Sequence, residues 1–153
     1  MTDQSIQAFD AAYTRHWDDV FRFSLALSND WAYAEDVAQE TFSRLWDRRA
    51  TVAWDRPVLP WLFVVSRHLV TDRFRRLRRR FEGVAPSFPD ESIRARWIDV
   101  QAAMADLSPH ERAALVLTTI QGMSYEEAAG ALDTTPGALR AAVSRARAKL
   151  ESA

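Results

Sequence analysis

A chain of 153 residues that is 48% hydrophobic, carries a net charge of -1 and has no cysteine has room for one ordinary domain or two small ones, without disulfides or Cys-ligated zinc. No run approaches the roughly eighteen apolar residues of a membrane span. The opening MTDQSIQAFD is acidic and polar rather than leader-like, so a cytoplasmic, reducing location without membrane insertion is expected. The near-zero net charge hides an uneven distribution. Residues 30–47 hold Asp30, Glu35, Asp36, Glu40 and Asp47 against Arg44 alone, whereas residues 66–80 hold Arg67, Arg73, Arg75, Arg76, Arg78, Arg79 and Arg80 against Asp72. Two oppositely charged surfaces point to two different partners.

With only four glycines and no alternating strand pattern, the chain reads as all-α. A first helix is expected over about Ser5–Ala26. A second follows Asp30 as N-cap, with Ala34, Val37, Ala38, Thr41 and Leu45 on one face at three-four spacing and Asp36, Gln39, Glu40 and Ser43 on the other. RRATVAWDRPVLP, residues 48–60, breaks the periodicity as a long loop. Pro60 suits the first position of a third helix running to about Phe81. That helix seats Phe63, Val70, Phe74, Leu77 and Phe81 on one stripe, with arginines around the remainder.

EGVAPSFPDES, residues 82–92, has linker composition. Beyond it, Ile93, Trp97, Val100, Met104 and Leu107 mark a helix expected to pack along its length. SPHE at Ser108 and SYEE at Ser124 are capping boxes, and Gly122 is a helix stop between them. A short helix over Tyr125–Leu132, the turn DTT and a basic helix from about Pro136 then have the spacing of a helix-turn-helix. On a helical wheel Leu139, Ala142, Val143, Ala146 and Leu150 form an apolar stripe. Ala141, Ser144 and Ala148 lie opposite, flanked by Arg140 and Arg147 on one side and Arg145 on the other.

Taken together, AEDVAQETFSRLW (34–46), PWLFVVSRHLVTDRFRRLRRR (60–80) and LSPHERAALVLTTIQGMSYEEAAGALDTTPGALRAAVSRARAKL (107–150) resemble the extracytoplasmic-function, or group 4, sigma factors of the bacterial sigma-70 family over essentially the whole chain. The resemblance implies two small helical domains. Region 2 would occupy residues 1–81, a linker 82–92, and region 4, with its helix-turn-helix, 93–153. It implies an alternative sigma factor that directs core RNA polymerase to promoters. The partners implied are the clamp helices of the largest subunit, the flap of the second-largest, promoter DNA and an anti-sigma factor, with no cofactor, metal or catalytic residue.

By the same resemblance, Asp36, Gln39, Glu40, Thr41 and Ser43 would bind core polymerase. Trp54, Trp61, Arg67, His68, Arg73, Arg75, Arg76 and Arg79 would bind the minus-ten element, the tryptophans as platforms for an unstacked base. Ser124, Tyr125, Glu126, Arg140, Ala141, Ser144, Arg145 and Arg147 would bind the minus-thirty-five element. His68 stands where the family commonly has asparagine, and the loop tip VAWDRP departs from its familiar forms. Small side chains at Ala141 and Ala142, where the family more often has polar ones, imply few direct base contacts, with Arg140 the best single reader.

Read without the family, the acidic face fits a solvated surface, while seven guanidiniums against one carboxylate make the arginine helix fit phosphate first, with a solubilising or anionic-membrane surface as the alternative. Two other functions compete. An enzyme finds no support in His16, His68 and His110, which lie far apart, or in any phosphate loop or nucleophile motif. A dimeric helix-turn-helix regulator would explain residues 107–150 but leave the first domain's charge pattern as coincidence.

Overall fold

The computed structural model describes residues 2–73, 88 and 90–152. Among the described residues the secondary structure is helical, as the glycine-poor sequence predicts. Helix α1 spans Thr2–Ser28 and ends where Asn29 turns left-handed at φ 53°, a conformation asparagine tolerates. Asp30 then caps α2, Trp31–Asp47, its carboxylate accepting the Tyr33 N–H at 3.0 Å. The predicted stripe is buried in full: Ala34, Val37, Ala38, Thr41 and Leu45 face α1 and α3 together with Tyr33 and Phe42.

Helix α3 covers Leu59–His68 and passes into a π-helical turn over Leu69–Arg73. It starts one residue earlier than predicted, so Pro60 occupies the second helical position, where its missing N–H still costs nothing. Phe63 and Val70 of the expected seam are buried. Phe74, Leu77 and Phe81 lie outside the described residues, as does most of the 82–92 linker. Buried hydroxyls in this region are satisfied along their own helices. Thr41 donates to the Val37 carbonyl at 2.7 Å and Ser66 to that of Leu62 at 2.6 Å, while the two oxygens sit 3.2 Å apart across the α2–α3 seam.

Helix α4, Glu91–Ala103, is capped by Asp90. Its apolar stripe does not pack along its length as expected. Trp97 and Leu107 are buried, but Val100 is 48% exposed and its neighbour Ile98 49%. The helix rests on the described residues chiefly where Trp97, at its middle, meets Trp31 edge-on at 5.9 Å and where Gln101 reaches the Asn29 carbonyl. Helix α5, Pro109–Leu115, opens on the complete Ser108/Glu111 capping box and continues as a π-helical turn over Val116–Ile120. Gly122, at φ 68°, supplies the stop, because only glycine takes that backbone without strain.

The short helix α6, Tyr125–Ala131, and the longer α7, Pro136–Glu151, form the helix-turn-helix, their turn passing through Asp133 at φ 53°. α7 lies against α5 and α6 through Leu139, Ala142, Val143 and Ala146. Leu150, expected on that stripe, is instead 37% exposed in the last turn of the helix.

The N- and C-terminal helices are in contact. Phe23 of α1 and Phe63 of α3 belong to the same buried cluster as Leu117, Leu139 and Val143. Across the seam the buried Arg112 donates to the carbonyls of Ala26 and Leu107, both at 2.6 Å, and Gln121 donates to Asp19 at 2.9 Å. Burial against these neutral carbonyls pushes the Arg112 guanidinium below its ordinary pKa.

Candidate protein and nucleic-acid interfaces

Burying one side of α2 leaves the other in solvent by helical geometry alone. Asp36, Gln39 and Ser43 are exposed; Glu40 is half-buried, paired with Arg44 one turn on at 3.4 Å. The Asp36 carboxyl is raised above its ordinary pKa by partial burial and then by the charges of Glu35 and Asp30. The outcome is a polar stripe whose acids are Asp36 and the Arg44-paired Glu40. Thr41 does not belong to it: its side chain is fully buried, because position 41 falls on the face that carries Val37 and Leu45. Trp46, absent from the sequence-derived set, continues the stripe from Gln39 and Ser43 at helical spacing. It is 37% exposed, with the Arg49 guanidinium 3.8 Å above its ring. The i, i+4, i+7 spacing from Gln39 was the signal available for it.

The loop of residues 48–58 folds back onto α1 and α3. Trp54 packs half-buried against the cluster that holds Ala12, Phe42 and Leu62, and its indole N–H donates to the Arg49 carbonyl at 2.9 Å. Trp61 is half-buried beneath the Arg48 guanidinium at 5.7 Å. Both rings therefore anchor the loop and keep only part of their surface for a ligand. Arg67 is half-buried and turned towards the helix-turn-helix. Its Nε donates to the Ala131 carbonyl at 3.0 Å, one of the acceptors a short helix leaves unpaired at its C-terminus, and it also meets His68 Nε2 at 2.8 Å. His68 itself is exposed. Arg73 closes the π-helical turn, but its side chain, together with Arg75, Arg76 and Arg79, lies outside the described residues.

In the helix-turn-helix, Ser124 and Glu127 complete the second predicted capping box, fixing the first turn of α6 and with it Tyr125 and Glu126. Tyr125, Arg140, Val143, Ser144, Arg147, Ala148 and Glu151 line a shallow recess of about 340 Å³. Ala141, Ser144, Arg147 and Ala148 are exposed on this helix, while Ala142 is wholly buried, a packing residue as the wheel requires. The arginines of α7 differ in their surroundings. Arg140 lies 5.0 Å over the Tyr125 ring. Arg145 lies 3.5 Å from the buried Glu111 carboxylate, on the flank away from the recess. Glu111 also accepts from Lys149 at 2.7 Å and from the Ser108 N–H at 2.9 Å, and these bonds lower its pKa from an ordinary 4.5 to about 2. Glu111 and Lys149 thus tie α7 to α5, a contact spanning 38 positions that local periodicity does not reveal.

Among the described residues no cluster has metal-ligand character, and no helix is long and apolar enough to cross a membrane.

Residues 12–80 match the family model for Sigma-70 region 2, and residues 98–150 that for Sigma-70, region 4. The ECF RNA polymerase sigma factor SigC of Mycobacterium tuberculosis is 33% identical over 149 residues, covering 92% of this chain and 80% of that protein. The chain belongs to the ECF RNA polymerase sigma factors. A second relative of this sigma factor, SigE of Mycolicibacterium smegmatis, is 32% identical over 95% of this chain and 61% of its own length. Among solved structures, that of CnrH in complex with the cytosolic domain of CnrY is similar at a TM-score of 0.70, with 26% identity and coverage of 97% and 92% of the two chains. RpoE of Bartonella quintana, solved in complex with the anti-sigma factor NepR, shares the fold at a TM-score of 0.72, with 24% identity and 94% of each chain covered. The anionic face of α2 falls in region 2 of this sigma factor and the helix-turn-helix in region 4.

Proposed function

We propose that this sigma factor docks on core RNA polymerase through the outer face of α2, with Asp36, Gln39, Glu40 and Ser43 meeting the clamp helices of the largest subunit and Trp46 extending the contact. The observation that carries this reading is the segregation of α2 into a fully buried apolar face and an exposed anionic one. Complementary charge across such a contact sets register and association rate more than affinity, and an amphipathic tryptophan is a frequent energetic anchor.

Residues 1–81 act as the polymerase and minus-ten unit and residues 93–153 as the minus-thirty-five unit, with 82–92 between them. The arginines at 73, 75, 76 and 79 neutralise phosphate near the minus-ten element, with His68 beside them. Trp54 and Trp61 offer their remaining ring surface to an unstacked base. Ser124, Tyr125, Glu126, Arg140, Ala141, Ser144 and Arg147 face the minus-thirty-five groove, and Arg145 takes the flanking backbone when not paired with Glu111. The subunit performs no chemistry itself, works in the cytoplasm and also meets the flap of the second-largest subunit. Region 2 and region 4 surfaces are covered by an anti-sigma factor until a signal releases them, a reading supported by the solved complex of the fold relative RpoE with NepR.

Charge reversal tests the docking face. Glu40→Lys should weaken association with core polymerase at least tenfold in a fluorescence-anisotropy titration while leaving the melting temperature unchanged. Equal affinity would remove the assignment.

A further inference from the structure

The arginines of α7 are not equivalent, and the difference assigns a task to Tyr125. No described carboxylate lies within ion-pair distance of Arg140, whereas Arg145 has one in Glu111. What Arg140 does have is the face of Tyr125, 5.0 Å from its guanidinium carbon. A guanidinium resting on a ring uses its π face for the contact and leaves its in-plane N–H donors free. Those are the donors that pair with the O6 and N7 of guanine.

Tyr125 is itself firmly held. It is the first residue of α6, and its backbone is fixed by the capping box in which Ser124 accepts the Glu127 N–H at 3.1 Å and Glu127 accepts from Ser124 at 3.0 Å. Its ring is half-buried against the cluster that contains Leu139 and Val143, so the ring cannot follow a swinging arginine. Both residues border the recess shared with Ser144, Arg147 and Ala148, where small side chains leave the approach open.

We propose that Tyr125 is a positioning residue for Arg140. Its ring pre-orders the guanidinium over the recess, so that selectivity at one base pair of the minus-thirty-five element depends on a side chain that does not touch that base. The inference rests on α7 being the minus-thirty-five reader. Arginine loses considerable rotamer freedom when it binds, and an arginine already laid on a ring loses less of it.

The test is promoter selection by holoenzyme reconstituted from core polymerase and the full chain, repeated with Tyr125→Leu, Tyr125→Phe, Arg140→Ala and the Leu/Ala double variant. Discrimination is read position by position across the selected minus-thirty-five element. Arg140→Ala should relax one base pair, Tyr125→Leu should relax the same base pair about tenfold and no other, and the double variant should equal Arg140→Ala alone. Tyr125→Phe should retain discrimination, since the ring face and not the hydroxyl is used.

A uniform loss at every position with Tyr125→Leu, additive effects in the double variant, or loss with Tyr125→Phe would each overturn the positioning role. The Phe variant decides between ring and hydroxyl even if the Leu variant fails to fold. If Arg140→Ala relaxes no base pair at all, α7 is not the reader, and the proposal falls with that broader reading.

Discussion

The N-terminal and C-terminal helices are packed with different materials. Around α1 and α2 the core of Val20, Phe42, Leu45 and Leu62 sits under a rim of partly exposed rings: Tyr13 and Trp17 lie 5.1 and 5.7 Å from Phe42, and Phe9 meets Trp46 edge-on at 5.0 Å at the surface. Around α5, α6 and α7 it is richer in alanine, with Ala113, Ala114, Ala128, Ala129, Ala131, Ala142 and Ala146 all at most 4% exposed beside leucines and the inserted Phe23 and Phe63. Aromatic side chains each remove a large apolar area from water, so the first region is held together by burial. Alanines bury little but let helix backbones come close, as the short α6 and the longer α7 do. That region relies correspondingly more on caps and ion pairs: Ser108 with Glu111, Ser124 with Glu127, and Lys149 with Glu111.

The contrast predicts opposite vulnerabilities. Phe42→Ala should have the largest effect, about 3–5 kcal/mol of stability in urea denaturation, because it opens a cavity beneath Tyr13 and Trp17. Ala142→Leu should cost less, about 1–3 kcal/mol, by forcing α7 away from its neighbours. It should be felt first as lost hydrogen-exchange protection in α5 to α7. If enlarging Ala142 were neutral, or Phe42→Ala the milder change, the distinction between the two cores would not hold.

The smallest effect concerns charge. Because the Glu111 pKa is lowered in the folded chain, its contribution to stability is complete above about pH 4.5 and is lost as pH falls towards about 2. The Glu111→Gln variant should therefore be less stable than the parent at pH 7 and lose less on acidification to pH 3, as measured by melting temperature at matched ionic strength. Parallel pH profiles would show that the Lys149 and Ser108 bonds do not stabilise the ionised carboxylate as argued.

How far the sequence reveals this arrangement depends on the distance over which each determinant acts. The face of α2, both capping boxes and the Gly122 turn are local patterns set by 3.6-residue periodicity and by helix-end chemistry, and all appear in the structure. The α4 stripe misleads because periodicity states which residues could be buried, not whether a partner arrives; among the described residues Val100 stays 48% exposed. The family motif places Thr41 on the docking surface, whereas its own spacing from Val37 and Leu45 puts it inside.

Arg67 shows the limit most plainly. Within its helix it is one more cation on a basic face, yet 64 positions along the chain the Ala131 carbonyl holds its Nε. Glu111 is likewise visible locally as a cap, while its bonds to Arg145 and Lys149 come only from the packing of α5 on α7.

The most direct measurement is transcription from a library of genomic fragments by purified core polymerase, with start sites mapped in the presence and absence of the protein. A discrete new set of start sites should appear only with the protein, which alone should bind the same fragments weakly. Unchanged start sites, together with tight footprints at palindromes from the protein alone, would contradict the account and favour an independent DNA-binding regulator.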